Sequence, residues 1–122
     1  MYSYQVKKIM GIARQVWQEF SPHDGEELAF RDDGIIEVTV KDSTEGFDID
    51  PDLPVSVLAA DLADRIQTIV MEGRQQMVPD CPLHPATHPL QSGVVNGAAA
   101  WVCPRAKSLV RYMGVTAEAD QP

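Results

Sequence analysis

Both cysteines of the chain, Cys81 and Cys103, and two of its three histidines, His84 and His88, fall within residues 81–103. Thiolates and imidazoles together form the donor set of tetrahedral zinc, at sulfur and nitrogen distances of about 2.3 and 2.0–2.1 Å. Cys81 and His84 are separated by two residues, the gap at which consecutive ligands wrap one ion. His84 and His88 lie four apart, across Pro85. Asn96-Gly97, a pair that favours positive φ, marks a two-residue hairpin turn and closes the remaining distance. In such a hairpin Val95 faces Ala98 and Cys103 faces Leu90, close to where His88 enters. Chain geometry therefore brings Cys81, His84, His88 and Cys103 towards one Zn(2+) site.

Four protein ligands fill the shell and leave no position for a substrate water, so the expected site is structural. It would contribute on the order of 10 kcal/mol to folding. Pro79, Pro82, Pro85 and Pro89 help, because they reduce the entropy lost when the ligands are fixed. Other readings of the same residues compete. A Cys81–Cys103 disulfide calls for an oxidising compartment, which nothing else in the chain suggests. The cysteines are alternatively free core thiols beside surface histidines. A catalytic zinc, with water replacing one histidine, needs a nearby general base; the segment holds no glutamate, only Asp80 at its edge.

The run Cys81-Pro82-x-His84, then His88-Pro89-Leu90, Asn96-Gly97 and Trp101-Val102-Cys103-Pro104 resembles small uncharacterised zinc-binding proteins of actinobacteria and their phages. In those proteins a long helix likewise precedes a proline-rich cysteine/histidine hairpin. The resemblance spans roughly residues 50–105 and implies a zinc-bound module, with no established activity attached.

Elsewhere the sequence offers no catalytic constellation. His23 sits in the polar linker Ser21-Pro22-His23-Asp24-Gly25, the glycines are scattered rather than forming a phosphate loop, and no serine or threonine is spaced near a base. Asp48-Ile49-Asp50-Pro51-Asp52 looks like the start of a calcium loop. The glycine and glutamate such a loop requires are replaced by Leu53 and Ala59. A formal net charge of −8 argues against nucleic acid, which needs a basic face. The charge is concentrated: residues 21–64 carry thirteen carboxylates against Arg31 and Lys41, a net of −11.

The elements that must position the ligands follow from periodicity. Val6, Ile9, Met10, Ala13, Val16, Trp17 and Phe20 predict an amphipathic helix over 4–20, ended by Ser21-Pro22. Glu27–Arg31 and Ile35–Val40 predict a hairpin about Asp32-Asp33-Gly34, and Asp42–Asp52 an acidic loop. Leu58, Leu62, Ile66, Ile69, Val70 and Met77 predict a long helix from about Val55 to about Gln76, with Asp61, Asp64, Arg65, Gln67 and Arg74 largely off its apolar stripe. Leu90–Val95 and Ala98–Val102 predict the second hairpin, and 106–113 a short helix capped by Gly114. The tail from Ala117 to Pro122 has no anchor in the sequence.

The expected fold is α+β: a helix–hairpin–helix domain over 1–78 and a zinc-ribbon-like hairpin module over 79–122. The expected function is non-enzymatic, a zinc-stabilised interaction protein within a larger assembly, with a phage virion component as the concrete form. An acidic inhibitor of a basic protein and a small metal-dependent hydrolase are the alternatives. Partners are other proteins, a second copy of the chain among them. Neither nucleic acid nor membrane is expected, and the location is the cytoplasm or a virion built there.

Overall fold

The computed structural model describes residues 4–116. Helix α1 (Tyr4–Gln18) is followed by strands β1 (Glu27–Phe30), β2 (Ile36–Val40) and β3 (Ser43–Phe47), then by helix α2 (Val55–Arg74). Strands β4 (Gln91–Val95), β5 (Ala98–Cys103) and β6 (Ser108–Tyr112) complete the chain. Each set of three strands forms an antiparallel meander, ordered β1-β2-β3 and β4-β5-β6. The class is α+β, as the alternation of periods implies. The unanchored-tail expectation lies outside the described residues, and among those described no helix is long and apolar enough to cross a membrane.

Helix α2 is the spine. Leu58, Leu62, Ile66 and Val70 are fully buried, and each such side chain contributes roughly 1.5–3 kcal/mol by leaving water. Against them pack Ile12, Val16 and Phe20 from α1 and its continuation, Ile36, Val38 and Val40 from β2, and Leu90 and Trp101 beside the second meander. One apolar cluster thus runs from Ile9 to Met113 and includes Cys81 and Cys103.

Two expectations about local structure fail. The acidic loop over 42–52 instead begins with strand β3: Lys41, at φ 57°, makes a tight turn with Asp42 and sends the chain back along β2. Thr39 and Thr44 share a 2.7 Å side-chain hydrogen bond across that pair, and Phe47 faces Ile36. The short helix over 106–113 is instead a turn and strand β6. The open side of β5 supplies backbone partners there, pairing Cys103 with Ser108 and Trp101 with Arg111, and this pairing overrides a weak helical pattern.

A third expectation fails at α2. Gln67 is 5% exposed, and the Arg74 side chain also 5%, although both lie largely off the apolar stripe of the helix. Arg74 grips Glu26 through two hydrogen bonds of 2.5 and 2.8 Å and also donates to the Phe20 carbonyl. That buried fork ties the linker after α1 to the end of α2. The helix stops at Gln75, which takes the left-handed conformation. Met77 lies beyond it and is 36% exposed, so it does not extend the stripe.

Candidate metal centre

The ligand-bearing segment is held at three places. Leu90 N–H donates to the Pro79 carbonyl and Cys81 N–H to the His88 carbonyl, so residues 79–81 run antiparallel to 88–90 and pinch off the loop between them. Inside that loop His84 N–H donates to the Cys81 carbonyl and Thr87 N–H to that of His84. The Asp80 carboxylate accepts the Ala86 amide at 3.3 Å from both oxygens. The Asn96-Gly97 turn has positive φ at both residues, and the register pairs Val95 with Ala98 and Gln91 with Val102, as the two-residue hairpin requires.

This scaffold brings all four predicted ligands together. The Sγ atoms of Cys81 and Cys103 and one ring nitrogen each of His84 and His88 lie within 4.8 Å of one another. Cys103 Sγ is 3.4 Å from His84 Nδ1 and 3.8 Å from His88 Nε2. Cys81 Sγ is 3.8 Å from His84 Nδ1, and the two imidazole nitrogens are 3.1 Å apart. A tetrahedron with metal–sulfur and metal–nitrogen bonds of about 2.3 and 2.05 Å has edges of roughly 3.6 Å from sulfur to nitrogen and 3.3 Å between nitrogens. The donor spacing fits such an ion. A single ring proton on His84 Nδ1 could not satisfy two sulfurs and the second imidazole at once.

The surroundings prepare the donors. His88 Nδ1 lies 3.0 Å from the Pro89 carbonyl; with its proton donated there, Nε2 is left as a bare ligand. Cys103 accepts the Ala106 amide at 3.3 Å in a turn closed by Lys107 N–H to the Cys103 carbonyl. Burial alone raises the Cys103 thiol. The amides of Ala106 and Arg105, the Cys81 thiol and the Arg105 charge outweigh it, and the pKa falls below the ordinary thiol value. A thiol so placed is inclined to the thiolate that a metal requires. Both cysteines are free and buried.

Gln67, Ser92 and Glu19 help build the site without any signal in the sequence, and Trp101 stood out there only as part of the resemblance. Gln67 donates both protons of its side-chain amide, to the carbonyls of Val78 (3.0 Å) and Leu90 (2.7 Å), the two ends of the ligand loop. Ser92 Oγ donates to the Ala60 carbonyl of α2. Trp101, two residues before the last ligand, stands edge-on to Phe20 and donates its indole proton to Glu19, which also pairs with Arg111. Only the partner distances reveal these roles, because glutamine, serine and glutamate on helices and strands are ordinarily solvated. His23 lies apart from the four ligands, beside Glu26.

Comparison with known protein families, curated proteins and solved structures found no match to the chain.

Proposed function

We propose that the chain is a non-enzymatic interaction protein whose carboxyl-terminal hairpin module is clamped by one structural Zn(2+), and that it works inside a larger protein assembly. The observation that carries this reading is the closed donor set: two sulfurs and two imidazole nitrogens at tetrahedral spacing on buried or half-buried side chains. Four such ligands leave the ion no open position for a substrate or an activated water, so its role is to hold backbone in place. Zinc suits the set better than calcium or magnesium, which take oxygen ligands, and the soft thiolates favour it over manganese. When bound, the ion adds folding free energy at the end of the apolar cluster that Leu90 and Trp101 join. A virion component is the concrete form of this reading, in line with the resemblance to small phage and actinobacterial zinc proteins.

Cobalt(II) titration of the metal-stripped protein tests the clamp. A closed site gives the visible absorption of tetrahedral cobalt with a thiolate charge-transfer band, unchanged by added azide. His88→Ala then loses both the spectrum and the protection of Trp101 from quencher. An azide-sensitive spectrum, or a His88→Ala variant that keeps metal and gains esterase activity, would favour the hydrolase. For the assembly role, the chain must appear at fixed stoichiometry in particles purified from its source; recovery only as free monomer would count against it.

A further inference from the structure

Strand β3 forms one edge of its sheet, and among the described residues nothing pairs with its outer side. Hydrogen-bonded and non-bonded pairs alternate along an antiparallel ladder, starting here from the bonded Val40–Ser43 pair that closes the two-residue turn. Thr44 and Gly46 therefore turn their N–H and C=O groups outward, and both residues are exposed. Beside this edge, between β3 and α2, run two adjoining hollows of about 150 and 230 Å³ that share Glu45 and Ile69. Phe47 and Ile69 give the groove an apolar floor, while Glu45, Asp64 and Glu72 line it with carboxylates. Arg65, the one cation among the described residues that line it, is already engaged by Asp61 at 3.6 Å and lies over the Phe47 ring.

We propose that this edge and groove take an extended, basic segment of a partner protein as a fourth strand. Thr44 and Gly46 pair with the segment's backbone, which is the means by which exposed sheet edges recruit peptides. Every second side chain of an added strand then enters the groove. Lysine and arginine fit there best: their aliphatic stems lie along Ile69 while their charges reach Glu45, Asp64 and Glu72. A second copy of the chain fits badly. Antiparallel pairing of two β3 edges sets Glu45 near its own counterpart, within a stretch of net charge −11, and like charges across strands are unfavourable. The inference rests on the reading of the chain as an interaction protein and names its partner's chemistry. It does not depend on the zinc.

The test uses the full chain with bound metal and a short synthetic peptide alternating arginine and valine. Expected are micromolar binding by calorimetry, slowed hydrogen exchange at the Thr44 and Gly46 amides, and at least a tenfold loss of affinity in Glu45→Lys. A version of the peptide N-methylated on its pairing edge should not bind. Equal binding of the methylated peptide, or of Glu45→Lys, would overturn the proposal in favour of diffuse charge attraction. Protection of the two amides in peptide-free protein at high concentration would overturn it in favour of self-pairing, and absence of binding would overturn it outright. Metal content and melting temperature, read on the same samples, separate these failures from failure of the zinc clamp.

Discussion

Replacing Gln67 by leucine removes two hydrogen bonds and leaves an apolar side chain in their place. The side chain is 5% exposed, and its amide reaches Val78 O at 3.0 Å and Leu90 O at 2.7 Å, either side of the ligand loop. Leu90 is itself buried, so its carbonyl would have little access to water. A buried acceptor left without a donor costs about 1–3 kcal/mol. Val78 is only half-buried, so its carbonyl recovers part of that loss by hydration. The lost hydrogen bonds alone give an expected destabilisation of about 2–4 kcal/mol. At this chain length 1 kcal/mol moves the melting temperature by roughly 3–5 °C, which sets an expected fall of about 6–20 °C. Because the lost bonds hold the loop that carries Cys81, His84 and His88, zinc affinity should fall too, measured by competition with a chromophoric chelator. Urea denaturation with and without zinc gives both quantities. A Gln67→Leu variant within 0.5 kcal/mol of wild type, with undiminished metal affinity, would refute the claim that this amide joins the ligand loop to α2.

The Glu26–Arg74 fork makes a pH prediction. The Arg74 hydrogen bonds pull the Glu26 carboxyl from 4.5 down to about 2, so its contribution to stability is complete above pH 4.5 and is lost as pH falls towards 2. That contribution is on the order of 3 kcal/mol, so the stability gap between wild type and Glu26→Gln, measured in urea, should shrink between pH 7 and pH 3; a constant gap would contradict the assignment. Gly73→Ala should lower the melting temperature although alanine is the better helix former. A Cβ there meets the Cγ1 and Cβ of Val40 at 2.5 and 2.6 Å, and overpacking of about 1–3 kcal/mol exceeds the gain of about 1 kcal/mol in propensity. A more stable Gly73→Ala protein would show that β2 gives way at no cost.

What the sequence made legible is what local chemistry controls. Asn96-Gly97 demanded a tight turn wherever the rest of the chain lay, and the turn fixed the strand register. The regular recurrence of Leu58, Leu62, Ile66 and Val70 marked α2 because a helix face buries every third or fourth side chain. The close spacing of Cys81, His84 and His88 limited where those side chains could go, and Cys103 followed from the turn. What escaped was set by partners distant in sequence. Ser43-Thr44-Glu45-Gly46-Phe47 has no apolar alternation, since its strand is an exposed edge and β2 supplies the register. Ala106–Met113 has a weak helical pattern, but an open strand beside it offers every second backbone group a partner. Gln67 and Arg74 read as surface residues until Leu90 and Glu26 are seen to meet them inside.

Cys81, His84, His88 and Cys103 lie close enough for one ion to join all four. X-ray absorption at the zinc edge, on untagged protein purified without added metal, tests most directly whether one does. One zinc per chain is expected, with two sulfurs at about 2.3 Å, two nitrogens at about 2.05 Å and no ordered water in the shell. Folded protein with no bound metal, an oxygen-rich shell, or a Cys81–Cys103 disulfide found by mass spectrometry would contradict that expectation.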